Sequence, residues 1–415
     1  MTRDRLHFLL LNIGHFLDHL FMLIFATVAA LALSREWGLS YGALLAYATP
    51  GFFAFGLCAL PAGWLADTWN RDGMMAVFFV GIGLAAIATS LAVTPLQVGI
   101  GLFAIGVFGA IYHPVGLAIV TAKWRNTGMR IAVNGVWGNL GVGSAALLTG
   151  YFIDNTGWRA AFAVPGILSV GIGCFYFLMF RPRAAALSPV APKAAGSDAG
   201  VPLDVKSAIM RVSAIVFLTT AVSSIVFQST TFALPKIFDE RLQGLAAEFS
   251  NGLGQYFPGS VDLATMVGAF AFVVFAVASL AQVAVGGMLD RFGPRRVFMG
   301  AAALQLVFFS AMPGLTDGLA FAVALGFMLG AFGQIPINDF MIGKMASGPF
   351  RARIYGIRYV VSFTVLAATL PLIGFVYESW GFDTLFRILA GAALVILIAV
   401  SCLPRRLPAA QPAHA

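Results

Sequence analysis

The chain has 415 residues, of which 60% are apolar, 13% aromatic and only 10% charged, and 25 Lys and Arg against 17 Asp and Glu give a formal net charge of +8. That composition lies where membrane proteins lie and leaves no room for a soluble domain of any size. No G-x-x-x-x-G-K-[ST] loop and no catalytic cluster near one surface is present, which disfavours an ATP-driven pump and a membrane enzyme and gives no reason to expect a cofactor.

About twelve apolar stretches are long enough, at roughly 20 residues each, to cross a ~30 Å hydrocarbon core. They fall at residues 6–33, 42–64, 74–92, 96–122, 131–153, 160–180, 209–234, 263–289, 297–312, 319–345, 354–376 and 384–403. The first follows Arg3 and Arg5 as a signal peptide would, but it is too long and holds His15, Asp18 and His19, so it reads as a retained span. Ionisable residues inside a bilayer are expensive and mark functional sites by default. At ~1.5 Å per helical residue, Asp18 and His19 lie near mid-span and His15 about one turn nearer the N-terminus. His15 pairs with Asp18 at i, i+3 and with His19 at i, i+4, spacings that share a helix face.

The loop after span two reads GWLADTWNRDG from Gly63. Span four carries Tyr112, His113 and Pro114, with His113 at about the depth of His15, and Pro114 marks a bend. Span five holds Gly135, Gly138, Gly141 and Gly143 with Trp137 and Asn139 among them; glycines at such spacings permit close helix approach, and packing explains them. GYFIDNTGWRAAF follows from Gly150, and residues 181–208, rich in Ala and Pro, read as a cytoplasmic linker with no fold of its own.

Span seven offers Ser223, Ser224 and Gln228. In the loop 236–262, Ile237, Phe238, Leu242, Leu245, Phe249 and Leu253 recur at helical spacing, as in an amphipathic surface helix or a lid. GGMLDRFGPRR follows span eight from Gly286. Span ten contains Phe332, Gln334, Asn338 and Asp339, with Pro336 as a second bend, and Arg358 in span eleven lies at a depth similar to Asp339. Those two form either an ion-paired gate or a snorkelling Arg beside an acid. GFVYESWGFDTLF follows from Gly374, and residues 404–415 form a tail. Cys58, Cys174 and Cys402 all lie in spans without metal spacing, so no disulfide is expected.

These signatures occur twice. Gly63 and Gly286 open one pair about 223 residues apart, and the second pair aligns Asp154 with Glu378, Gly157 with Gly381 and Phe162 with Phe386. Gly109, Ala110 and Lys123 fall on Gly330, Ala331 and Lys344, and the same offset places Gln334 on His113. Such internal repetition is how many membrane transporters are built. All but five of the 25 Lys and Arg lie on the side of the N-terminus, the exceptions being Arg35, Arg159, Lys236, Arg241 and Arg387. Both termini are therefore expected in the cytoplasm, and the basic balance reflects topology rather than nucleic-acid binding.

Twelve spans in two halves, two G-x-x-x-D loops and a basic central linker resemble the major facilitator superfamily over nearly the whole chain. The resemblance implies two pseudo-symmetric six-helix bundles, residues 1–180 and 209–403, that alternate access to a cavity lined by spans one, four, seven and ten. It also implies gating roles for Asp67 and Arg71 in the first loop and for Asp290, Arg291 and Arg295 in the second. The first copy departs from the pattern at Thr68, at Asp72 and at Asn70, which replaces the turn Gly; Asn tolerates the left-handed turn conformation. His15-Phe-Leu-Asp18-His19, Tyr112-His113-Pro114 and Gly138-Asn139-Leu140-Gly141 are similar, in order and spacing, to the fosmidomycin-resistance-type exporters, which implies proton-driven drug efflux. Here Asp18-His19 replaces that family's Asn-Asp pair, moving the acid about 100° round the helix.

Three readings of the buried group stay open: a proton relay, a metal or metal-chelate site lacking a fourth donor, and a polar network that fixes packing. The expectation is an all-α membrane protein of the bacterial inner membrane, a monomer and not an enzyme. Its function is proton-coupled efflux of a small organic molecule, with uptake or export of a metal chelate as alternatives. Asp18, His15, His19 and His113 are the candidate proton-coupling residues, with no metal ligand assigned. Tyr112, Trp137, Asn139, Gln228, Phe332, Gln334 and Asn338 are the candidate substrate contacts, and Asp67, Arg71, Asp290, Arg291, Arg295, Asp339 and Arg358 the gating residues.

Overall fold

The computed structural model describes residues 2–124, 127–180, 203–256, 261–345 and 351–404, and its regular structure is entirely helical. The first span is α1 (Arg3–Val28), capped by the Thr2 hydroxyl, which continues through a π-helical turn at Ala29–Leu33 into α2 (Ser34–Trp37). Spans two and three are α3 (Tyr41–Thr68) and α4 (Arg71–Ser90). The fourth is split into α5 (Pro95–Gly109) and α6 (Tyr112–Lys123), with α7 (Thr127–Asn155) and α8 (Trp158–Met179) as the fifth and sixth. The second half has α9 (Leu203–Arg241), α11 (Leu263–Phe292), α12 (Pro294–Ala311), α13 (Asp317–Met345) and α14 (Arg351–Ser401). Among the described residues ten helices are long and apolar enough to cross a membrane. α12 and the division of α14 at Gly381 complete the twelve expected crossings. The linker expected at 181–208 lies largely outside the described residues, as does the tail beyond 404.

The two expected bends have different outcomes. Pro114 has no N–H to give the Ala110 carbonyl, and the helix breaks there, at Ala110 and Ile111. α13 instead runs through Pro336 as one helix, so the second bend is not a break. The repeated corner motif behaves alike in both copies: Gly157 turns α7 into α8 at φ 92°, and Gly381 turns within α14 at φ 74°, values that only Gly adopts without strain.

The G-x-x-x-D loops differ. Gly293 takes φ 78°, whereas Asn70 is extended at φ −169° and its side chain accepts the Gly73 N–H at 2.7 Å. Asn70 thus caps α4 instead of adopting the left-handed turn expected of it. The three cysteines are free thiols, and Cys174 and Cys402 are exposed.

Spans one to six pack mainly on one another, as do seven to twelve, and the halves meet chiefly through α7 against α11 and α3 against α14. Small residues make these crossings close: a Cβ on Gly150 would lie 2.2 Å from the Ala264 carbonyl oxygen, and one on Gly268 would lie 2.4 Å from that of Ala146. Among the described residues, the contacts joining the halves cluster on the side away from the N-terminus. They include Arg35 to Asp239 at 3.7 Å, the Tyr41 and Tyr377 rings at 5.6 Å, and Gly42 against Gly374. On that far side, the loop sequence at 236–262 divides. Ile237, Phe238 and Leu242 are buried at the end of α9, while α10 (Gln243–Gly254) lies over α11 and α13, capped where Asp317 accepts the Leu245 N–H at 2.8 Å.

Candidate functional site

α1 carries Asn12, His15 and His19 at i, i+3 and i+7, one stripe of the helix, with Asp18 beside them. The break in span four makes Tyr112 and His113 the first residues of α6, and this aims them at α1. α7 completes the site with Asn134, Gly138 and Gly141, again a single stripe. A Cβ on Gly138 would lie 2.7 Å from the His15 ring, and one on Gly141 would lie 2.2 Å from the Phe16 carbonyl oxygen. The small residues of span five therefore let the first span, and its imidazole, lie against α7.

Every side of His15 is held. Its Nδ1 is 2.8 Å from the Asn134 carbonyl oxygen, its Nε2 is 3.1 Å from His19 Nε2, and its ring stacks on Tyr112 with centroids 4.8 Å apart and planes 18° from parallel. The Tyr112 hydroxyl donates to the Leu11 carbonyl at 2.8 Å, and Asn134 Nδ2 donates to Tyr112 Oη at 2.9 Å and to Asn12 Oδ1 at 3.0 Å. His113 meets His15 and His19 edge-on at 5.2 and 5.4 Å, and its Nε2 lies 3.4 Å from Asp18 Oδ2. Asp18 is fully buried and neither carboxylate oxygen has a hydrogen-bond partner, while His19 and His113 are partly exposed. An ionised carboxylate so placed is costly unless a cation or proton neutralises it. One buried acid and three imidazoles, two of them partly exposed, thus occupy one spot near mid-span.

The other candidate residues lie elsewhere. Trp137 and Asn139 are partly buried on α7, Asn139 on a different face from Asn134. Gln228 is partly buried on α9, and Phe332 packs in the second half against Phe227 and Phe275 at 5.2 and 6.0 Å. Gln334, buried, donates to the equally buried Gln305 of α12, and Asn338 is buried with no partner for its Oδ1. At the loops, Arg71 donates to Asp67 at 2.7 Å within the first signature, Arg295 donates to the Ser401 carbonyl at 2.6 Å, and Asp290 and Arg291 are exposed. Asp339 is exposed, and the side chain of Arg358 lies outside the described residues.

Sequence reasoning passed over Asn134 and Asn12, although Asn134 stands four and seven residues before Gly138 and Gly141 on the stripe that meets span one. It also passed over His7. His7 is buried, stacked on Phe180 at 4.2 Å, with Nε2 2.7 Å from the Tyr176 hydroxyl and 3.0 Å from Asp72 Oδ1. Lys123 Nζ lies 2.8 Å from its Nδ1 and 3.0 Å from Asp4, so this group joins spans one, three, four and six near the N-terminal side.

Twelve crossing helices in two repeated halves, with a broken helix delivering polar groups to mid-span, are the architecture of a secondary transporter, an integral membrane protein moving small molecules rather than an enzyme. The chain belongs to the Major Facilitator Superfamily, whose sequence pattern matches residues 11–275 and 253–415. It is similar to the puromycin resistance protein pur8 of Streptomyces alboniger, at 30% identity over 152 residues, or 35% of this chain and 30% of that protein. It is also similar to a gallate transporter of Pseudomonas putida, at 24% identity over 143 residues, or 34% and 32%. The chain spans about a third of the length of the curated relatives it matches. Among solved structures, a POT family transporter in complex with 5-aminolevulinic acid aligns with TM-score 0.71 at 13% identity, covering 98% of this chain and 97% of that one. A bacterial homologue of the human lysosomal transporter Spinster, inward-facing and occupied, aligns with TM-score 0.67 at 14% identity, covering 97% and 95%. At these identities the structures share the fold alone.

Proposed function

We propose that this protein exports a small organic molecule in exchange for protons, with Asp18 as the proton carrier and His113, His15 and His19 as its partners. The observation that carries the reading is Asp18 itself, fully buried, without a hydrogen-bond partner, and 3.4 Å from an imidazole that is partly exposed. A carboxyl group so placed needs a proton or a cation to neutralise it, and exchange of that partner between states is what coupling to alternating access requires. Export is supported by the similarity to a puromycin resistance protein and to a probable actinorhodin transporter of Streptomyces coelicolor, and by the likeness of three stretches to fosmidomycin-resistance-type exporters.

The placement of Lys and Arg supports a bacterial inner-membrane protein with its N-terminal side in the cytoplasm. On that orientation the far-side contacts describe an inward-facing state, and the halves 1–180 and 209–403 rock about α7, α11, α3 and α14. Trp137, Asn139, Gln228 and Asn338 are the proposed substrate contacts, with Gln334 and Phe332 shaping the second half and Tyr112 acting through His15. Asp67, Arg71, Asp290, Arg291, Arg295, Asp339 and Arg358 gate the cytoplasmic side.

The test is internal pH in proteoliposomes of the purified protein while drugs, organic acids and metal chelates are added one at a time. Efflux coupling is expected to move protons only when protein and a transported compound are both present. Asp18→Asn is expected to abolish uphill transport while counterflow exchange of substrate continues. Uphill transport by that variant at the wild-type rate would remove Asp18 from the mechanism.

A further inference from the structure

We infer that His15, His19 and His113 form a binding site for a divalent transition-metal ion, with Asp18 as the buried counter-charge. The inference rests on the proposed function only in taking this cluster to face the transport pathway. One ring nitrogen from each of the three histidines can be chosen so that all lie within 4.8 Å of one another. The Nε2 atoms of His15 and His19 are 3.1 Å apart. Two imidazole nitrogens at that distance share either a hydrogen or a cation. Metal–nitrogen bonds of about 2.0–2.1 Å in a tetrahedral site put neighbouring ligand atoms about 3.3 Å apart, so the pair needs almost no movement to ligate.

The surroundings favour the cation. A carbonyl oxygen only accepts, so the 2.8 Å contact to Asn134 fixes the hydrogen of His15 on Nδ1 and leaves Nε2 with its lone pair toward His19. Tyr112 beneath the ring and Gly138 behind it hold that orientation. His113 has Asp18 3.4 Å from its Nε2, the carboxylate–imidazole arrangement that orients metal ligands, and Asp18 lacks any hydrogen-bond partner of its own. A divalent ion among three neutral imidazoles would give that isolated carboxylate the positive charge it lacks.

The donor set also defines the ion. Three imidazoles select Zn²⁺, Co²⁺, Ni²⁺ or Cu²⁺ over the oxygen-seeking Mg²⁺ and Ca²⁺. Three protein ligands leave a fourth position for water or for an oxygen or nitrogen of a small chelating molecule. His19 and His113, both partly exposed, are where that fourth ligand would enter. The occupant is therefore a transition-metal ion, taken either bare or as a chelate.

Co²⁺ tests this by its visible spectrum. Protein purified without a polyhistidine tag and stripped with EDTA is titrated with Co²⁺ in detergent, then challenged with Zn²⁺ and with Mg²⁺. The expected result is one saturable site with the intense bands of four-coordinate Co²⁺, displaced by Zn²⁺ and untouched by Mg²⁺. His19→Gln and His113→Gln are expected to abolish the bands, and Asp18→Asn, which keeps the shape of the side chain, is expected to weaken binding by about 10- to 100-fold. Repeating the titration with the Co²⁺ citrate complex separates the sources: tighter binding of the complex identifies a chelate, tighter binding of the bare ion the free metal. Absence of the bands, or Co²⁺ affinity equal in wild type and in a folded His19→Gln variant, overturns the inference. The readout needs no transport, so its failure leaves proton coupling standing, and wild-type uphill transport by Asp18→Asn leaves metal binding standing.

Discussion

Asp154 and Glu378, aligned by the internal repeat, each cap the first turn of a helix in the opposite half. Asp154 Oδ2, at the end of α7, accepts the Thr265 N–H at 2.7 Å and the Thr265 hydroxyl, while Glu378 Oε1 accepts the Gly42 N–H at 2.9 Å. A carboxylate at a helix N-terminus meets unsatisfied N–H groups and the positive end of the helix dipole, which is favourable by about 0.3–2 kcal/mol. Both bonds join the two halves on the far side, so opening that side would break them. They are two symmetry-related latches.

Neutralising one latch should therefore shift the protein toward a far-side-open state. Asp154→Asn or Glu378→Gln is expected to cost the closed state about 1 kcal/mol, a population change of roughly fivefold, and the double variant more. The distance between spin labels on Thr156→Cys and Leu253→Cys, in a background without native cysteines, reads the change. An unaltered distance distribution in the double variant would show that the glycine contacts close this side without the carboxylates.

Gly138 and Gly135 lie one turn apart on α7 and make opposite predictions. A Cβ at Gly138 would lie 2.7 Å from the His15 ring, whereas one at Gly135 would meet nothing within 4 Å. Gly138→Ala is expected to turn His15 away from His19 and to reduce transport at least tenfold with the protein still folded. Gly135→Ala is expected to leave transport within a factor of two, since the added methyl meets open space and a Gly-to-Ala change in a helix is stabilising by only about 1 kcal/mol. Initial rates in proteoliposomes compare the two, and equal rates would show that His15 orientation is unimportant.

How far the sequence reveals this molecule follows the physics of each signal. The spans were legible because a bilayer demands about 20 apolar residues per helix, and the corners at Gly157 and Gly381 because the repeat aligned them. The meeting of His15 and His113 was legible from their similar depth together with the resemblance that sets spans one and four on one cavity, and that of His15 and His19 from their i, i+4 spacing. Partners across the bundle were not legible. Asn139 drew attention because it stands inside the glycine run, yet Asn134 is the residue that faces span one, and which face of α7 turns inward depends on packing against α1 and α11. Likewise Gln334 aligned with His113 in the repeat, but Gln305 on α12 engages it, a contact no periodicity encodes.

Asn134 joins three groups, so its loss should act on stability before function. Its amide donates to Asn12 and to Tyr112, and its carbonyl, which any substitution keeps, holds His15. Asn134→Leu leaves the Asn12 Oδ1 without a donor in a buried place, at a cost of about 1–3 kcal/mol. The expected outcome is a lower thermal unfolding midpoint in detergent, with substantial transport retained at low temperature because the His15 contact to the backbone persists. An unchanged midpoint would mean that water satisfies Asn12 and Tyr112 equally well.

Asp72 accounts for one departure of the first loop from its family's pattern. Where the pattern places a basic residue, this chain has an acid that accepts from the Tyr176 hydroxyl at 2.7 Å and faces His7 Nε2 at 3.0 Å. Lys123 stands on the other side of the same imidazole, at 2.8 Å from Nδ1. A basic side chain at 72 would set two cations about one imidazole and leave the Tyr176 hydroxyl without its acceptor. Asp72→Lys is therefore expected to destabilise the first six spans by about 2–3 kcal/mol, and Asp72→Asn, which keeps an acceptor oxygen, by about half that. Thr68→Arg restores another basic position of the same loop, on an exposed residue, and is expected to leave the unfolding midpoint unchanged. Thermal unfolding of the three variants in one detergent decides the matter. If Asp72→Lys and Thr68→Arg melt together at the wild-type temperature, the His7 group is not what ties spans one, three, four and six.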